Sequence, residues 1–401
     1  MKKIYYTLLL AMFSLNSNAQ TIVEPANGPE DGLPHGMTIY LKNGTQQTYT
    51  ADEVINVTYL PDLGMKIYLK GSATSVDYLY SQINSINYAY TNANGNWKTF
   101  SKVDYPYANR LEYPKLNENV WPTKEGAEEK SQIVVKQTKD FGITFSLEWD
   151  NSKVANRWTC YTLNADNSLE YTDRNDDFKP DEEVAVSSAL EDYKQVDEKI
   201  DGKDTYDKYK GLNFSRGHLC PSADRQCSKE QNKQTFFLTN MQPQWQSHNG
   251  GLWSNLETLV RNFATNDNYT QSHCDTMYIV KAATITDKVT INGQEEDGIY
   301  TDIKCGFDFK GAVHQLLVPK YFYMAVLHYN KATNTFKAIA FWTLHEDASV
   351  TNKNYGDYAI SIDELEKRTG IDFFCNMPDE IEHAVEAECD LDFWKLTKTT
   401  P

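Results

Sequence analysis

The chain has 401 residues, 13% of them aromatic, and carries 39 Lys and Arg against 56 Asp and Glu, a formal charge of −17. That length allows two domains, one with a sizeable core, and the aromatic content argues against extensive disorder. The acidic balance speaks against a broad surface that coats nucleic acid, because phosphate contacts draw on Lys and Arg.

The chain opens with Lys2 and Lys3, an apolar run from Ile4 to Leu15, and then Ser17-Asn18-Ala19. A basic start, a short apolar stretch and a small-x-small end predict a secretory signal over residues 1–19, cleaved near Ala19. The run is too short to span a bilayer, and no later stretch is long enough to be a transmembrane segment. The mature chain is therefore expected in the periplasm or the medium.

Residues 20–90 read as a small all-β module built from two copies, about 37–59 and 65–88. Met37-Thr-Ile-Tyr-Leu-Lys-Asn-Gly is echoed by Met65-Lys-Ile-Tyr-Leu-Lys-Gly-Ser, and Glu53-Val-Ile-Asn-Val-Thr-Tyr59 by Gln82-Ile-Asn-Ser-Ile-Asn-Tyr88. Each copy alternates apolar and polar residues and breaks at Gly44 or Gly71, the pattern of a hairpin. Two hairpins of this size could form a small sheet with limited core. No catalytic constellation falls here, and the ligand of these repeats is unknown. The polar stretch around Asn92, Asn94, Gly95 and Asn96 marks a linker over residues 91–106.

The second domain is expected over residues 107–401. Strand patterns fall at Ile133–Val135, Ile143–Trp149, Trp158–Leu163, Thr235–Leu238, Met277–Val280, Val313–Leu317, Tyr323–His328 and Lys337–Phe341. Helical patterns fall at Leu252–Phe263, Ser361–Thr369 and Glu380–Cys389. Without regular βαβ alternation, these predict a mixed, layered α+β domain. Seven cysteines (160, 220, 227, 274, 305, 375 and 389) permit disulfides in an exported chain, Cys220 with Cys227 and Cys375 with Cys389 being near in sequence. Their spacing lacks the paired C-x-x-C pattern of a structural zinc site.

Charge is unevenly spread. Residues 175–207 hold twelve acidic and four basic side chains, whereas 210–261 hold six basic and three acidic. A locally basic block inside an acidic chain suits a focused anion site. That block contains Asn213-Phe-Ser-Arg-Gly-His-Leu-Cys-Pro-Ser-Ala-Asp224, Thr239-Asn-Met-Gln-Pro-Gln244 and Asn249-Gly-Gly-Leu-Trp-Ser-Asn-Leu-Glu257, with Arg261 beyond.

Taken singly, these residues have ordinary uses. Asn249 ahead of a helix could be an N-cap, Glu257 and Arg261 a surface i,i+4 pair, and Asn240 a turn residue. His218 could accept a proton from water if neutral. The other seven histidines (35, 248, 273, 314, 328, 345 and 383) are assigned no chemistry, although His248 adjoins Asn249. Order and closeness carry the reading.

Arg-Gly-His, then Thr-Asn-x-x-Pro-Gln, then Asn-x-Gly-x-Trp-x-x-Leu-Glu resembles the sugar-non-specific DNA/RNA endonucleases, which include endonuclease G and secreted bacterial nucleases with a ββα-metal (His-Me) finger. Arg157-Trp-Thr-Cys-Tyr-Thr-Leu163 resembles the strand ahead of the family's site, and Asp363–Phe374 its closing segment. The resemblance implies a ββα-metal finger in the second domain and hydrolysis of DNA and RNA, bound through phosphate contacts, with 5′-phosphate products. It implies His218 as general base and Asn249 as direct ligand of Mg²⁺, with Mn²⁺ or another divalent ion as substitute. It implies that Glu257 holds the metal's waters, that Asn240 positions the site, and that Arg174, Arg216 and Arg261 support it or bind phosphate. The family's usual Asp-Arg-Gly-His begins here with Ser215, which bears on how firmly the histidine strand is held. Two alternatives remain: an exported binding protein with an inert nuclease domain, and a phosphodiesterase of the same fold acting on small nucleotides.

Overall fold

The computed structural model describes residues 36–50, 53–60, 63–89, 107–108, 110–116, 131–179, 181–184, 199–200, 203–204, 214–301, 305–309, 312–349 and 354–397. The expected signal (1–19) and linker (91–106) lie outside the described residues.

The repeat forms six strands: β1 (Gly36–Leu41), β2 (Gln46–Thr50), β3 (Val54–Leu60), β4 (Gly64–Leu69), β5 (Ser75–Leu79) and β6 (Ile83–Ala89). They do not make one sheet of two hairpins. They make two three-stranded sheets, β2-β1-β6 and β3-β4-β5. In each, the repeated Met-x-Ile-Tyr-Leu strand is central, pairing with the next strand of its own copy and with the third strand of the other copy. The registers match: Met37 faces Tyr49 and Tyr88, while Met65 faces Tyr78 and Tyr59. Met37, Ile39, Tyr49, Val57, Met65 and Ile67 form one buried core, and the Tyr49 and Tyr78 hydroxyls meet at 2.6 Å.

The second unit is built on a seven-stranded antiparallel sheet. Its strands are β7 (Ser131–Thr138), β8 (Gly142–Asp150), β9 (Ala155–Leu163), β14 (Thr276–Ala283), β19 (Tyr321–Asn330), β20 (Thr335–Leu344) and β21 (Ala359–Ile360), ordered β21-β20-β19-β14-β9-β8-β7. Short two-stranded pieces accompany it: β10 (Lys199–Ile200) with β11 (Lys203–Asp204), β12 (Phe214–His218) with β13 (Met241–Trp245), β15 (Lys288–Ile291) with β16 (Gln294–Asp297), and β17 (Cys305–Phe309) with β18 (Ala312–Leu316). The helices are α1 (Lys229–Gln234), α2 (Ser254–Thr265), α3 (Ile362–Thr369) and α4 (Asp379–Glu386).

Because side chains alternate across a strand, the two faces of the sheet bury different partners. Phe145, Leu147, Tyr161, Met277, Ile279, Phe322 and Phe341 pack with Leu252, Leu256, Val260 and Phe263 of the α2 run. Trp158, Val280, Ala282, Tyr323, Ala325 and Ala340 pack with Ile362 and Leu365 of α3 and Val385 of α4. The domain is thus a layered α+β structure with the sheet in the middle, as its sequence pattern leads one to expect.

One expectation needs correction. Thr235–Leu238 is not a strand: Thr235 closes α1, and Leu238 opens a 3₁₀ turn that ends at Asn240. Phe236 and Phe237 look like strand residues because they are apolar, but this segment pairs only in an isolated bridge to Lys179. The cysteine pairing that the sequence left open resolves as follows among the described residues. Cys160, Cys220, Cys227, Cys274, Cys375 and Cys389 are all free thiols, and all but Cys389 are buried as small apolar groups.

Candidate active site

β12 and β13 pair antiparallel from Phe214↔Trp245 to His218↔Met241, and the chain then turns into a continuous helical run from Gln246 to Thr265. This is a ββα unit. Its tight spacing explains Gly217: a Cβ there would lie 2.1 Å from Gln244 Oε1. The same Gln244 side chain meets His248 Nδ1 at 2.7 Å through Nε2. One glutamine therefore braces the residues next to both His218 and Asn249. Ser215, where the family pattern has Asp, donates its hydroxyl to the Gln244 carbonyl at 3.1 Å and ties the two strands together.

His218 sits at the end of β12 with its Nε2 buried and without a hydrogen-bond partner. The Arg216 carbonyl accepts from the ring, which leaves the proton on Nδ1 and a lone pair on Nε2. Burial, reinforced by the positive charge of Arg174, lowers its pKa from 6.5 to about 3 despite that carbonyl. Phe178 and Phe236 pack edge-on to the imidazole, with ring centroids 5.9 and 5.0 Å away. Each phenyl also carries a guanidinium: Arg216 lies 4.5 Å from the Phe178 centroid and Arg174 4.9 Å from that of Phe236. Two cations are thus held beside the imidazole by cation–π contact, and Arg174 is further fixed by Asp176 at 2.6 Å.

Asn240 is fully buried and wholly engaged. Its amide nitrogen donates to the Cys220 and Thr235 carbonyls, and its Oδ1 accepts from Cys220 N, each at 2.9 Å. It clamps the chain just after His218, a positioning role that leaves no group free to react.

Asn249 is not an N-cap. It lies inside the helical run, at the start of a π turn over Asn249–Trp253 in which Gly251 departs from helical dihedrals. Such turns re-aim side chains and recur at functional sites. The half-buried Asn249 amide has no hydrogen-bond partner among the described residues. Its neighbour His248 is core: it bonds Thr343 at 3.1 Å, and burial takes its pKa down to about 3.

Glu257 and Arg261 share a helix face without pairing as an i,i+4 couple. Glu257 accepts from Lys281 Nζ at 3.3 Å, while Arg261 Nε donates to Asp224 at 2.6 Å. Burial raises the Glu257 pKa, and Lys281 opposes the rise. Burial also works against the Asp224 charge, but Arg261, Lys281 and the Tyr161 hydroxyl (2.7 Å) hold it below the usual carboxylate range. Just behind Asp224, Arg225 is fully buried and donates to the Thr144 carbonyl at 2.6 Å, the Asp224 carbonyl at 2.6 Å and the Thr162 carbonyl at 3.0 Å, riveting this turn onto β8 and β9.

Reading the sequence missed Lys281, Asp224, Gln244 and the two phenylalanines. The signal for Lys281 was present, since it is the single charge in the otherwise uncharged strand Thr276–Ala283, and a lysine so placed needs an anionic partner. Nothing marked Asp224 out among many aspartates.

The family model for DNA/RNA non-specific endonucleases matches residues 123–380. A nuclease of Nostoc sp. is 28% identical over 252 residues, covering 61% of this chain and 76% of that protein. The mitochondrial nuclease EXOG of Xenopus laevis is 22% identical over 255 residues, covering 63% of this chain and 62% of its own length. A chain from the crystal structure of the EndoG/EndoGI complex superposes with a TM-score of 0.44 at 18% identity, over 62% of this chain and 88% of that one. With a ββα unit in place and a family match over more than half of its length, the chain belongs to the DNA/RNA non-specific endonucleases.

Proposed function

We propose that the chain is an exported, divalent-metal-dependent endonuclease that hydrolyses DNA and RNA without strong sequence preference and leaves 5′-phosphates. The observation that carries this reading is the His218 ring: oriented by the Arg216 carbonyl, neutral, and with an unpartnered buried Nε2. Such a nitrogen takes the proton of an attacking water. Arg174 and Arg216, fixed on phenyl faces beside it, meet the scissile phosphate. Contacts to phosphate rather than to base edges give cutting without sequence preference.

The donor set suits a hard cation. Asn249 offers an unengaged amide oxygen and Glu257 a carboxylate, whereas the His248 imidazole is hydrogen-bonded at both nitrogens and the Cys220 thiol is buried. Asn249 is the residue that would hold Mg²⁺ or Mn²⁺ directly, with Glu257 acting on its waters. A bound ion there stabilises the charge of the pentavalent transition state and the departing 3′-oxygen. Lys281 opposes the burial that disfavours the Glu257 charge, and Asp224 holds Arg261 alongside. Export is supported by the Lys2–Ala19 segment.

The test is digestion of supercoiled plasmid, single-stranded RNA and a small chromogenic diester with Mg²⁺ or EDTA. Cutting of both polymers should stop in EDTA and fall by about 10²–10⁴-fold in His218→Ala. A folded sample that cuts neither polymer in any divalent metal overturns the reading. Turnover of the small diester alone would transfer it to nucleotide substrates.

A further inference from the structure

On the opposite face of the sheet, away from His218 and α2, carboxylates crowd between α3 and α4. One carboxylate oxygen each from Asp363, Glu366 and Glu386 lies within 4.8 Å of the others. Glu382 is only 2% exposed, yet neither of its oxygens has a hydrogen-bond partner; Glu386 is 4% exposed with Oε1 unpartnered. Asp372 and Asp379 add two further negative charges acting on Glu382. Against these the pocket offers little compensation. Lys115 reaches Asp372 at 3.8 Å, and Phe373 N donates to Glu366 at 2.7 Å. Lys367 and His383 belong to the same two helices and contribute weakly to Glu366 and Asp372.

Buried carboxylates that lose hydration and face one another either keep their protons or give them up to a bound cation. We propose that this cluster is a second, structural cation site, held by Asp363, Glu366 and Glu386 with Glu382 behind them, and that it takes Ca²⁺. All-oxygen, carboxylate-rich sites of irregular shape suit Ca²⁺, whose Ca–O distance of about 2.3–2.6 Å allows oxygens facing across the ion to stand about 5 Å apart. Mg²⁺ demands a tighter octahedron of about 2.0–2.1 Å and keeps more of its water. In the cation-free chain, burial and mutual repulsion raise Glu366 to about 7, Glu382 to about 9 and Glu386 to about 10. Binding therefore displaces protons as the ion takes their place. The ion would join the carboxyl-terminal helices α3 and α4 to each other beneath the sheet. This site and the catalytic one are separate, so either can fail without the other.

The experiment is calorimetric unfolding of the EDTA-stripped full chain, with isothermal titration of Ca²⁺. At about 10 mM CaCl₂, tenfold or more above the Kd of weak extracellular Ca²⁺ modules, the Tm should rise by about 3 °C or more. Mg²⁺ at the same concentration should give a smaller rise. The Ca²⁺ shift should persist in Asn249→Ala and disappear in Glu386→Gln. If Glu386→Gln does not fold, the half-exposed Asp363→Asn gives the same reading. No heat and no Tm shift with Ca²⁺ overturns the proposal. So does a shift lost in Asn249→Ala but kept in the glutamate variant, or an equal response to Mg²⁺.

Discussion

At the scale of single residues, the site separates groups that react from groups that hold them. Burial and Arg174 disfavour the His218 proton, so the neutral form, the active one in the proposed mechanism, persists far below the usual histidine range. For a base with a folded pKa near 3, kcat/KM should stay flat from pH 8 to about pH 5 rather than falling through pH 6.5. An acid limb centred at 6.5 in a pH–rate profile would contradict this. The same shift has a cost in stability. Below pH 6.5 the unfolded chain takes up a proton that the folded ring refuses, so this contribution declines as pH drops toward 3. Lys281 holds rather than reacts. Removing it in Lys281→Met strands the Glu257 carboxylate in the interior and should cost about 3 kcal/mol in urea denaturation. Adding Glu257→Gln should recover most of that loss. If the double variant is no more stable than the single, the pair is not the reason Lys281 is tolerated there.

At the scale of elements, the ββα unit works as a braced hinge of short pieces. Gly217→Ala drives a methyl group into Gln244, whose amide also supports His248. The expected result is a loss of about 1–3 kcal/mol, typical of overpacking. A fall in kcat with KM nearly unchanged should accompany it, since the arginines stay on their rings; unchanged melting and turnover would disprove the brace. Much of this level was legible in the sequence. The α2 stripe of Leu252, Leu256, Leu259, Val260 and Phe263 and the long apolar strands carry their periodicity openly. The helix start was not legible. Asn249-Gly250-Gly251 reads as a cap, but the chain is already helical at Gln246, because the π turn absorbs the irregularity inside the helix. Phe236-Phe237 misled in the opposite way, since apolar residues can be buried by one bridge to Lys179 without a ladder. The site residues were legible only as an ordered set. The ion pairs beneath them depend on which strands meet in space, and local sequence does not encode that.

At the scale of the molecule, the acidic total and the nucleic-acid reading are reconciled by position. Arg174, Arg216, Arg261 and Lys281 gather on one face of the central sheet, whereas Glu366, Glu382 and Glu386 crowd the other. A polyanion approaching the first face meets these basic groups, with the carboxyl cluster on the far side of the sheet. The amino-terminal strands follow a different logic. Because β3 completes the sheet of the second copy and β6 that of the first, severing the chain between β3 and β4 would not release two self-sufficient halves. Each half would keep one hairpin and one strand with nothing to pair against, and could close only by finding another half like itself. The module is in effect a strand-swapped dimer written into a single polypeptide, and its fold depends on both copies being present.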